Sequence, residues 1–588
     1  MDIKILRTVS EPCNIVYTKD WKHEIENIVG TVVLFMDRRV REIYGTPKIE
    51  GLVFDVEAKD ECKNIEHYTR FVHEMNTHRI DSYATVVSIG GGSVSNLAGF
   101  IAGTYKRGIR FVTVPTTLLS MTDACISYKQ AINTACGKNQ IGCYKVPLYI
   151  YIFQPFLETL EKRFISDGYA EVIKHGICEN FDIESDDCIS KTILVKSEHL
   201  KNDPFELHPI LMYGHQYGHA IEYLSKDRYY HGESVNIGMI ATSHVGYALG
   251  IHGVGLIKKH KTVSDTFNLP KMFSCGTDFT LNDVMRCMYN DKSVKGGHVY
   301  FSFGEGLVND VQCVHDESIH HGLNKVCLDR MIFRNGYEMH KIAFGTCDIP
   351  AGGVYRAIKT GYRTIDCASF YGNERMIGRE ISLCIEEGIC ERKDLFIIGK
   401  LWNDQHERVE EACRESIHNM GIGYFDMYLM HWPVTYIEGA RVGEADVVDV
   451  FTKMKLLEGT LCNNVGVSNF EIEHLEKIVH LKPAMNQIEL HPHFQQRDLV
   501  DYCDTHFINV MAYSPMSLTA ITDETIISIA GKYNTTPHAI ILSWVLHTAA
   551  LTVKSMHHQE ENLTSMHIMT EDDFDAIEEK NIRTIQKR

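Results

Sequence analysis

Short apolar runs alternate with charged, helix-period stretches over the first 120 residues. NIVYT (14–18), TVVLFMD (31–37), LVFDVEA (52–58), TVVSIG (85–90) and RFVTVP (110–115) read as strands. Segments between them, such as KNIEHYTRFVHEM (63–75), read as amphipathic helices. Strand and helix alternating at this spacing predict a parallel α/β sheet. From about 156 to 290 strand-like runs become rare. Long helical patterns such as EVIKHGICENF (171–181) and ESVNIGMIATSHVGYALG (233–250) predict a helical domain there. HVYFSF (298–303) is a last strand signal before glycine-rich turns.

Near 326 the pattern restarts. MIFRNGYEMHKIAFGT (331–346) reads as a short hairpin, and strand–helix units follow through RTIDCA, LFIIGKLW, YFDMYLMHW, NVGVSNF, PAMNQIEL, NVMAYSP and LTVKS. At least seven strands separated by helices, within one stretch of this length, are expected of a TIM (β/α)8 barrel. The chain therefore divides into an α/β domain (1–155), a helical domain (156–325) and a barrel (326–588), with no Pro/Gly/Ser-rich linker before the barrel.

Composition narrows the setting. Of 588 residues, 44% are hydrophobic and 23% charged, as in ordinary globular proteins. No apolar run reaches the ~20 residues that span a bilayer, and the first residues, MDIKILRTVSEPCN, lack a signal-peptide pattern. The expectation is a cytoplasmic protein. A net charge of −18 disfavours nucleic acid and anionic membrane as partners. The 18 cysteines are scattered without zinc-finger spacing and are expected to be reduced thiols.

Candidate chemistry in the first half starts at Gly90–Gly92, which end a strand and precede a helix. Glycines let backbone approach a diphosphate at a helix N-terminus, although a glycine triplet alone fits a tight turn as well. Glu171, His215 and His231 are a stronger signal. Two imidazoles and a carboxylate leave an open position on Zn²⁺ or a similar cation. His215 and His219, four apart, share a helical face, and Lys174 lies one turn from Glu171. Asp123, Lys129, Asn133, Lys138 and Asn139 cluster in a stretch too polar for core; lysines near a metal suit phosphate and polyol recognition.

The stretches GGGSVSNLAGFIAGTYKRGIRFVTVPTTLL, KQAIN…GKN, GYAEVIKHG, GHQYGHAIE and HGESVNIGM make residues 10–320 resemble the dehydroquinate synthase family of sugar-phosphate cyclases. The resemblance implies an NAD-binding α/β domain, a helical metal-binding domain and a homodimer. It implies that Glu171, His215 and His231 hold a divalent metal, zinc or cobalt. NAD would be held by Lys63, Gly91, Gly92, Asn96, Thr116, Thr117, Lys129 and Lys138. Asp123, Asn139, Lys174, Lys196 and His219 would face substrate, with Lys129, Lys174 and His219 as catalytic groups, and Arg107 would reach a phosphate. His219 suits a proton shuttle because an imidazole titrates near neutrality. Two departures matter. Asn96 stands where dehydroquinate synthases usually have Asp, and His208 and Met212 stand where they carry Arg and Asn for a substrate carboxylate. Without that arginine a carboxylate loses its bidentate partner. The Asn96 turn and SYKQAIN instead resemble 2-deoxy-scyllo-inosose synthases, which cyclise glucose 6-phosphate. A neutral hexose or heptulose phosphate is the expected substrate.

In the second half Asp366, Tyr371, Lys400 and His431 fall at or just past predicted strand C-termini, where barrel enzymes place their chemistry. A buried cation beside a tyrosine is expected to lower its pKa. These segments, with GVSNF (466–470), PAMNQIELHP (483–492), AYSP (512–515) and VKS (553–555), make 330–580 similar to the aldo-keto reductases. The resemblance implies that Tyr371 protonates the carbonyl, Lys400 and Asp366 tune it, and His431 orients the substrate. Ser468, Asn469 and Gln487 would hold the nicotinamide carboxamide and Tyr513 would stack on its ring. Lys554 and Ser555 would meet the adenosine phosphate, with Asn562 in the cofactor set. The KSMHHQEENL loop lacks the family's arginine, so NADPH is expected with a weakened preference over NADH. Cys347 replaces a tryptophan, which removes an aromatic wall and points to a polar substrate; the loop after Pro433 is short, so an open pocket is expected. A ketone-producing module joined to a carbonyl-reducing one implies a tandem enzyme for a sugar phosphate and a polyhydroxy ketone.

Overall fold

A computed structural model describes residues 12–581 apart from 135–136, 202, 204–207, 227, 292–293, 305–311, 438, 517 and 565. The extreme N-terminal segment, 1–11, lies outside the described residues. Two compact units emerge: Met1–Met239 with Thr266–Leu269 and Tyr300–Gln312, and Ile240–Asp265 with Pro270–Val299 and Cys313–Arg588. They cut across the 156–325 segment, because part of its helices belongs with the barrel.

In the first unit six parallel strands run in the order Asn14–Tyr17, Tyr149–Ile152, Arg110–Pro115, Thr85–Gly90, Val32–Asp37, Gly51–Val56. All five strands of the sequence reading are present. The sixth, YIYI at 149–152, inserts between the first and fifth. Alternation of side chains explains the burial of both faces. Val33, Phe35 and Val86 pack with Phe71 and Leu97 on one side, while Leu34, Val87 and Val112 pack with Trp21 and Phe156 on the other. The polar stretch that carries Lys129 and Asn139 is an antiparallel hairpin, Lys129–Thr134 with Gly137–Tyr144. Four long helices follow: Lys162–Cys178, Cys188–Lys201, His215–Ser225 and His231–Ala248, the last running past the end of the unit.

The second unit holds a closed barrel of eight parallel strands: Ile342–Gly345, Thr364–Asp366, Phe396–Leu401, Met427–Met430, Val465–Ser468, Met485–Glu489, Asn509–Tyr513 and Ala550–Val553. Phe344 pairs with both Ile365 and Val553, which closes the ring. The hairpin Arg330–Ile332/Glu338–His340 precedes it, turning at Gly336 with φ +81°. Met331, Phe333 and Met339 pack with Ile398, Leu429, Met485 and Met511 inside the barrel. The described cysteines are all thiols. Among the described residues no helix is long and apolar enough to cross a membrane.

Candidate functional sites

In the first unit, three helices bring one ligand atom each from Glu171, His215 and His231 within 4.8 Å of one another. Glycines make this approach feasible. A Cβ on Gly238 would lie 2.0 Å from the carbonyl oxygen of Gly214, and one on Gly218 would strike the backbone of Val235. The helices bearing His215 and His231 therefore touch backbone to backbone. Gly232 meets Asp167 the same way, at 1.8 Å from its carbonyl oxygen, and the Asp167 carboxylate accepts the N–H of Glu233 at 3.1 Å. This fixes the start of the His231 helix against the helix bearing Glu171.

Hydrogen bonds set the tautomers. His215 donates from Nδ1 to the Tyr213 carbonyl (3.1 Å), which leaves Nε2 facing Glu171 Oε1 at 3.6 Å. His231 donates from Nδ1 to Glu222 Oε2 (2.9 Å), leaving Nε2 for a cation. Neither oxygen of the fully buried Glu171 accepts a hydrogen bond among the described residues, and the Lys174 ammonium lies against Oε2. An interior carboxylate whose charge is met by the Lys174 ammonium, beside two imidazoles held through Nδ1, fits a divalent cation.

Glu222 was absent from the sequence reading. It lies seven residues after His215, two turns along one face, and that spacing was a usable signal. Its second oxygen accepts from Lys138 Nζ at 2.6 Å, so the hairpin and the metal group share one carboxylate. Burial opposes ionisation of Glu222, but His231 and Lys138 outweigh it and hold its carboxyl below the usual range. His175 also went unnoticed: it is fully buried one turn from Glu171, and burial together with Lys174 and Lys196 keeps it neutral. His219 sits with its ring 5.2 Å from His215 and 6.2 Å from His231. Lys196 pairs with the Asp123 carboxylate and donates to its carbonyl at 3.0 Å. Burial resists the Asp123 charge, but Lys196 and Lys174 keep the carboxyl low.

The nucleotide residues gather at the strand ends. The helix Gly92–Thr104 has no side-chain cap, leaving its first N–H groups available. A Cβ on Gly91 would press on Thr117 at 3.1 Å, and Thr116 donates its N–H to Gly90. Asn96 anchors the hairpin, accepting from the Ala131 N–H and donating to the Gly92 carbonyl. Lys63 donates to Asn139 at 2.7 Å. Lys129 opens the hairpin's first strand. Arg107 is exposed in the turn Tyr105–Arg107, with no hydrogen bond or ion pair described for it.

In the barrel, Asp366 and Lys400 form a buried ion pair, and Lys400 Nζ lies 3.4 Å from Tyr371 Oη. The His431 ring stands edge-on to Tyr371 at 6.0 Å. Lys400 does lower the phenol's pKa, as expected, but the net shift is upward. Burial raises Tyr371 above its ordinary value of 10, and Lys400 offsets this only partly because Asp366 opposes it. Burial, then Lys400, keeps His431 neutral. Ser468 donates to the Gln487 carbonyl, Asn469 to the His431 carbonyl, and Tyr513 to Asn469 Oδ1 at 2.7 Å. Gln487 Nε2 points to Asp366 Oδ2 at 3.3 Å. Lys554 is half exposed, the Ser555 hydroxyl accepts from the His558 N–H, and Asn562 is buried in the helix Gln559–Thr564.

Cys347 contributes no ring, but other segments bring aromatic rings beside His431. Trp402 stacks on Phe370 at 3.8 Å and lies 5.0 Å from His431 and 5.9 Å from Tyr436. The loop after Pro433 forms a small antiparallel hairpin that carries Tyr436. These rings come from ASFYGNE, KLWND and VTYI, whose apolar residues beside charged catalytic groups were the overlooked signal.

The two constellations define a chain with two separate enzyme-type sites. Residues 53–167 and 168–294 match the N-terminal and C-terminal models of 3-dehydroquinate synthase, and residues 351–582 match the aldo/keto reductase family. Aldose reductase of Encephalitozoon cuniculi is 36% identical over 276 residues, covering 42% of this chain and 91% of that protein. The NAD(P)H-dependent D-xylose reductase of Pachysolen tannophilus is 33% identical, covering 41% of this chain and 90% of its own length. A Bombyx mori aldo-keto reductase solved with NADP is 28% identical, covers 43% of this chain and 92% of its own, and superposes with a TM-score of 0.41. Through its barrel the chain belongs to the aldo/keto reductase family, and a 3-dehydroquinate-synthase-like portion precedes that barrel.

Proposed function

We propose that this is a bifunctional enzyme in which an NAD- and metal-dependent sugar-phosphate cyclase feeds a ketone to an NADPH-dependent reductase. The observation that carries the first half is the convergence of Glu171, His215 and His231 beside Lys174, Lys196 and His219. Bound NAD would take up and return a hydride at a ring carbinol, while the cation polarises the neighbouring oxygen. The chain's own groups do the rest. Lys174 and Lys196 offer charged hydrogen bonds to hydroxyl and phosphate oxygens, the Asp123 carboxylate can accept from a substrate hydroxyl, and His219 can carry a proton beside the ligand histidines. The position expected to bind a carboxylate holds His208, whose Nδ1 accepts the Ile210 N–H and whose ring lies 4.0 Å from His199. That position carries an imidazole instead of a guanidinium. We therefore favour a neutral sugar phosphate, with glucose 6-phosphate giving 2-deoxy-scyllo-inosose, over the dehydroquinate precursor.

In the barrel, Tyr371 Oη is placed to donate the proton to a carbonyl oxygen and Lys400 to stabilise the phenolate left behind, while a reduced nicotinamide held by Ser468, Asn469, Gln487 and Tyr513 would supply the hydride. Neutral His431 and the rings of Phe370, Trp402 and Tyr436 orient the carbonyl compound. NADPH as hydride donor agrees with Lys554 and Ser555 at the last strand. A homodimer through the cyclase half is part of the proposal.

The test is incubation of full-length protein with glucose 6-phosphate, NAD⁺, Co²⁺ or Zn²⁺, and NADPH, with a parallel arm on sedoheptulose 7-phosphate. Phosphate release and a cyclic ketone, reduced to a cyclitol in a Tyr371-dependent step, is the expected result. Phosphate release from sedoheptulose 7-phosphate alone moves the substrate assignment. Release from neither sugar refutes the cyclase half of the proposal.

A further inference from the structure

Cys275, Cys327 and Asp329 form a second group of ligand atoms lying within 4.8 Å of one another, inside the second unit. Both thiols are fully buried. Their sulfurs are 3.9 Å apart, and Cys327 Sγ is 3.3 Å from Asp329 Oδ1. A tetrahedral zinc with sulfur at about 2.3 Å and oxygen at about 2.0–2.2 Å requires edges of about 3.8 Å between sulfurs and about 3.5 Å from sulfur to oxygen. Both measured edges fit this within a few tenths of an ångström. A disulfide requires sulfurs about 2.05 Å apart.

The backbone holds the three residues in place. Segments 273 and 326–328 are joined by the Phe273 N–H to the Val326 carbonyl (2.8 Å) and the Leu328 N–H to the Phe273 carbonyl (2.9 Å). Asp329 is oriented by two main-chain donors: Oδ1 accepts from Cys275 and Oδ2 from Gly276, at 3.0 and 2.8 Å. These are the outer contacts that aim a metal-binding carboxylate; Oδ2 keeps a lone pair free, and Oδ1, which also accepts the Cys327 S–H, regains one when that thiol gives up its proton to become a thiolate. The Lys341 ammonium, buried and bound to the carbonyls of Cys327 (2.6 Å) and Asn324 (2.7 Å), supplies positive charge beside a centre carrying three anionic ligands. Buried cysteines alone behave as small hydrophobes. Two of them presented to an oriented carboxylate at tetrahedral spacing do not need that explanation.

We propose that Cys275, Cys327 and Asp329 bind a structural zinc ion, with a water or the second Asp329 oxygen as fourth ligand. Two thiolates select a borderline-soft cation over Mg²⁺ or Ca²⁺. Cys275 lies within the stretch matching 3-dehydroquinate synthase, whereas Cys327 and Asp329 lie between that match and the barrel's. The ion would staple the joint of the fused chain.

The probe is Co²⁺ loaded into reduced full-length protein. The expected spectrum has intense visible bands of tetrahedral cobalt and a near-ultraviolet thiolate-to-cobalt charge-transfer band. The Glu171 group contains no sulfur, so that band reports the new site alone. It should persist in Glu171→Gln and vanish in Cys275→Ser together with one bound metal per chain. Zinc-edge X-ray absorption of Glu171→Gln should give two sulfur ligands at about 2.3 Å, a result that does not depend on the cysteine variant folding. Absence of the charge-transfer band in both wild type and Glu171→Gln overturns the site, as does a Cys275–Cys327 disulfide in the purified protein. Failure of the Glu171 group to bind metal leaves the band in place, so the two readings fail separately.

Discussion

At the scale of single residues the two sites use one device, a buried charge whose partner decides what its neighbour can do. Burial keeps Tyr371 a phenol by outweighing the Lys400 charge, which Asp366 partly offsets. The raised phenol is a proton donor below its pKa and loses that role only above it. Carbonyl reduction should therefore be flat from pH 7 to 9 and fall only beyond 10, read from initial rates with saturating NADPH. Tyr371→Phe should lower reduction about 10²–10⁴-fold, the usual worth of a positioned general acid, while phosphate release continues. Glu222 is the corresponding group in the other site, since it fixes the His231 tautomer. Glu222→Gln keeps its shape but weakens the acceptor, and Glu222→Ala removes it. A loss of about 10–100-fold in metal affinity is expected for the alanine variant, measured by chelator competition. An unchanged affinity would remove Glu222 from the metal site.

At the scale of elements, close helix contact is what assembles the metal group. Gly238→Ala places a methyl 2.0 Å from the Gly214 carbonyl oxygen. Backbone cannot yield as a flexible side chain does, so the variant should lose about 1–3 kcal/mol and bind up to one equivalent of metal less than the parent protein, checked by thermal melts and elemental analysis. Elements were also where the sequence was most legible. The continuous apolar run in TVVLFMD and the seven runs of the barrel gave the sheets because strands buried on both faces read as unbroken apolar stretches. Glu171, His215 and His231 were legible because helical spacing and ligand type coincide. The strand 149–152 was missed because YIYI follows a proline and lacks an adjoining helical pattern of its own. The hairpin at 129–144 was missed because its exposed polar side chains masked the short buried run Gln130 to Ile132. Glu222, Trp402 and Phe370 act through partners that only the fold brings near.

At the scale of the whole molecule, several histidines of the second unit are buried or half-buried and held neutral. Burial, as the leading cause, depresses His320, His321, His340, His406 and His491 to about 4, and His260 and His547 to about 3. An imidazole whose folded pKa lies below its unfolded value of 6.5 stabilises above 6.5. That contribution drains away as pH falls toward the folded value. The second unit should therefore lose stability progressively from pH 6.5 to 4, at roughly 1.4 kcal/mol per pH unit for each proton taken up. Urea midpoints followed by barrel near-ultraviolet signals should shift downward over that window; constant midpoints would mean the histidines are accessible to protons in the native state.

The membership of the second unit has a practical side for anyone recombining such chains. Lys271 Nζ donates to the Met569 carbonyl at 2.7 Å, Asp265 accepts the Glu571 N–H, and Lys258 pairs with Asp575. Helices numbered with the cyclase thus serve as buttresses for the last turns of the reductase. A free-standing relative spliced in at residue 326 would arrive without the partners of those side chains, and a reductase excised at that residue would leave with its own sockets empty. The gene's obvious cut point is therefore a poor place for the knife, and shuffling libraries built on it should yield mostly insoluble chimeras.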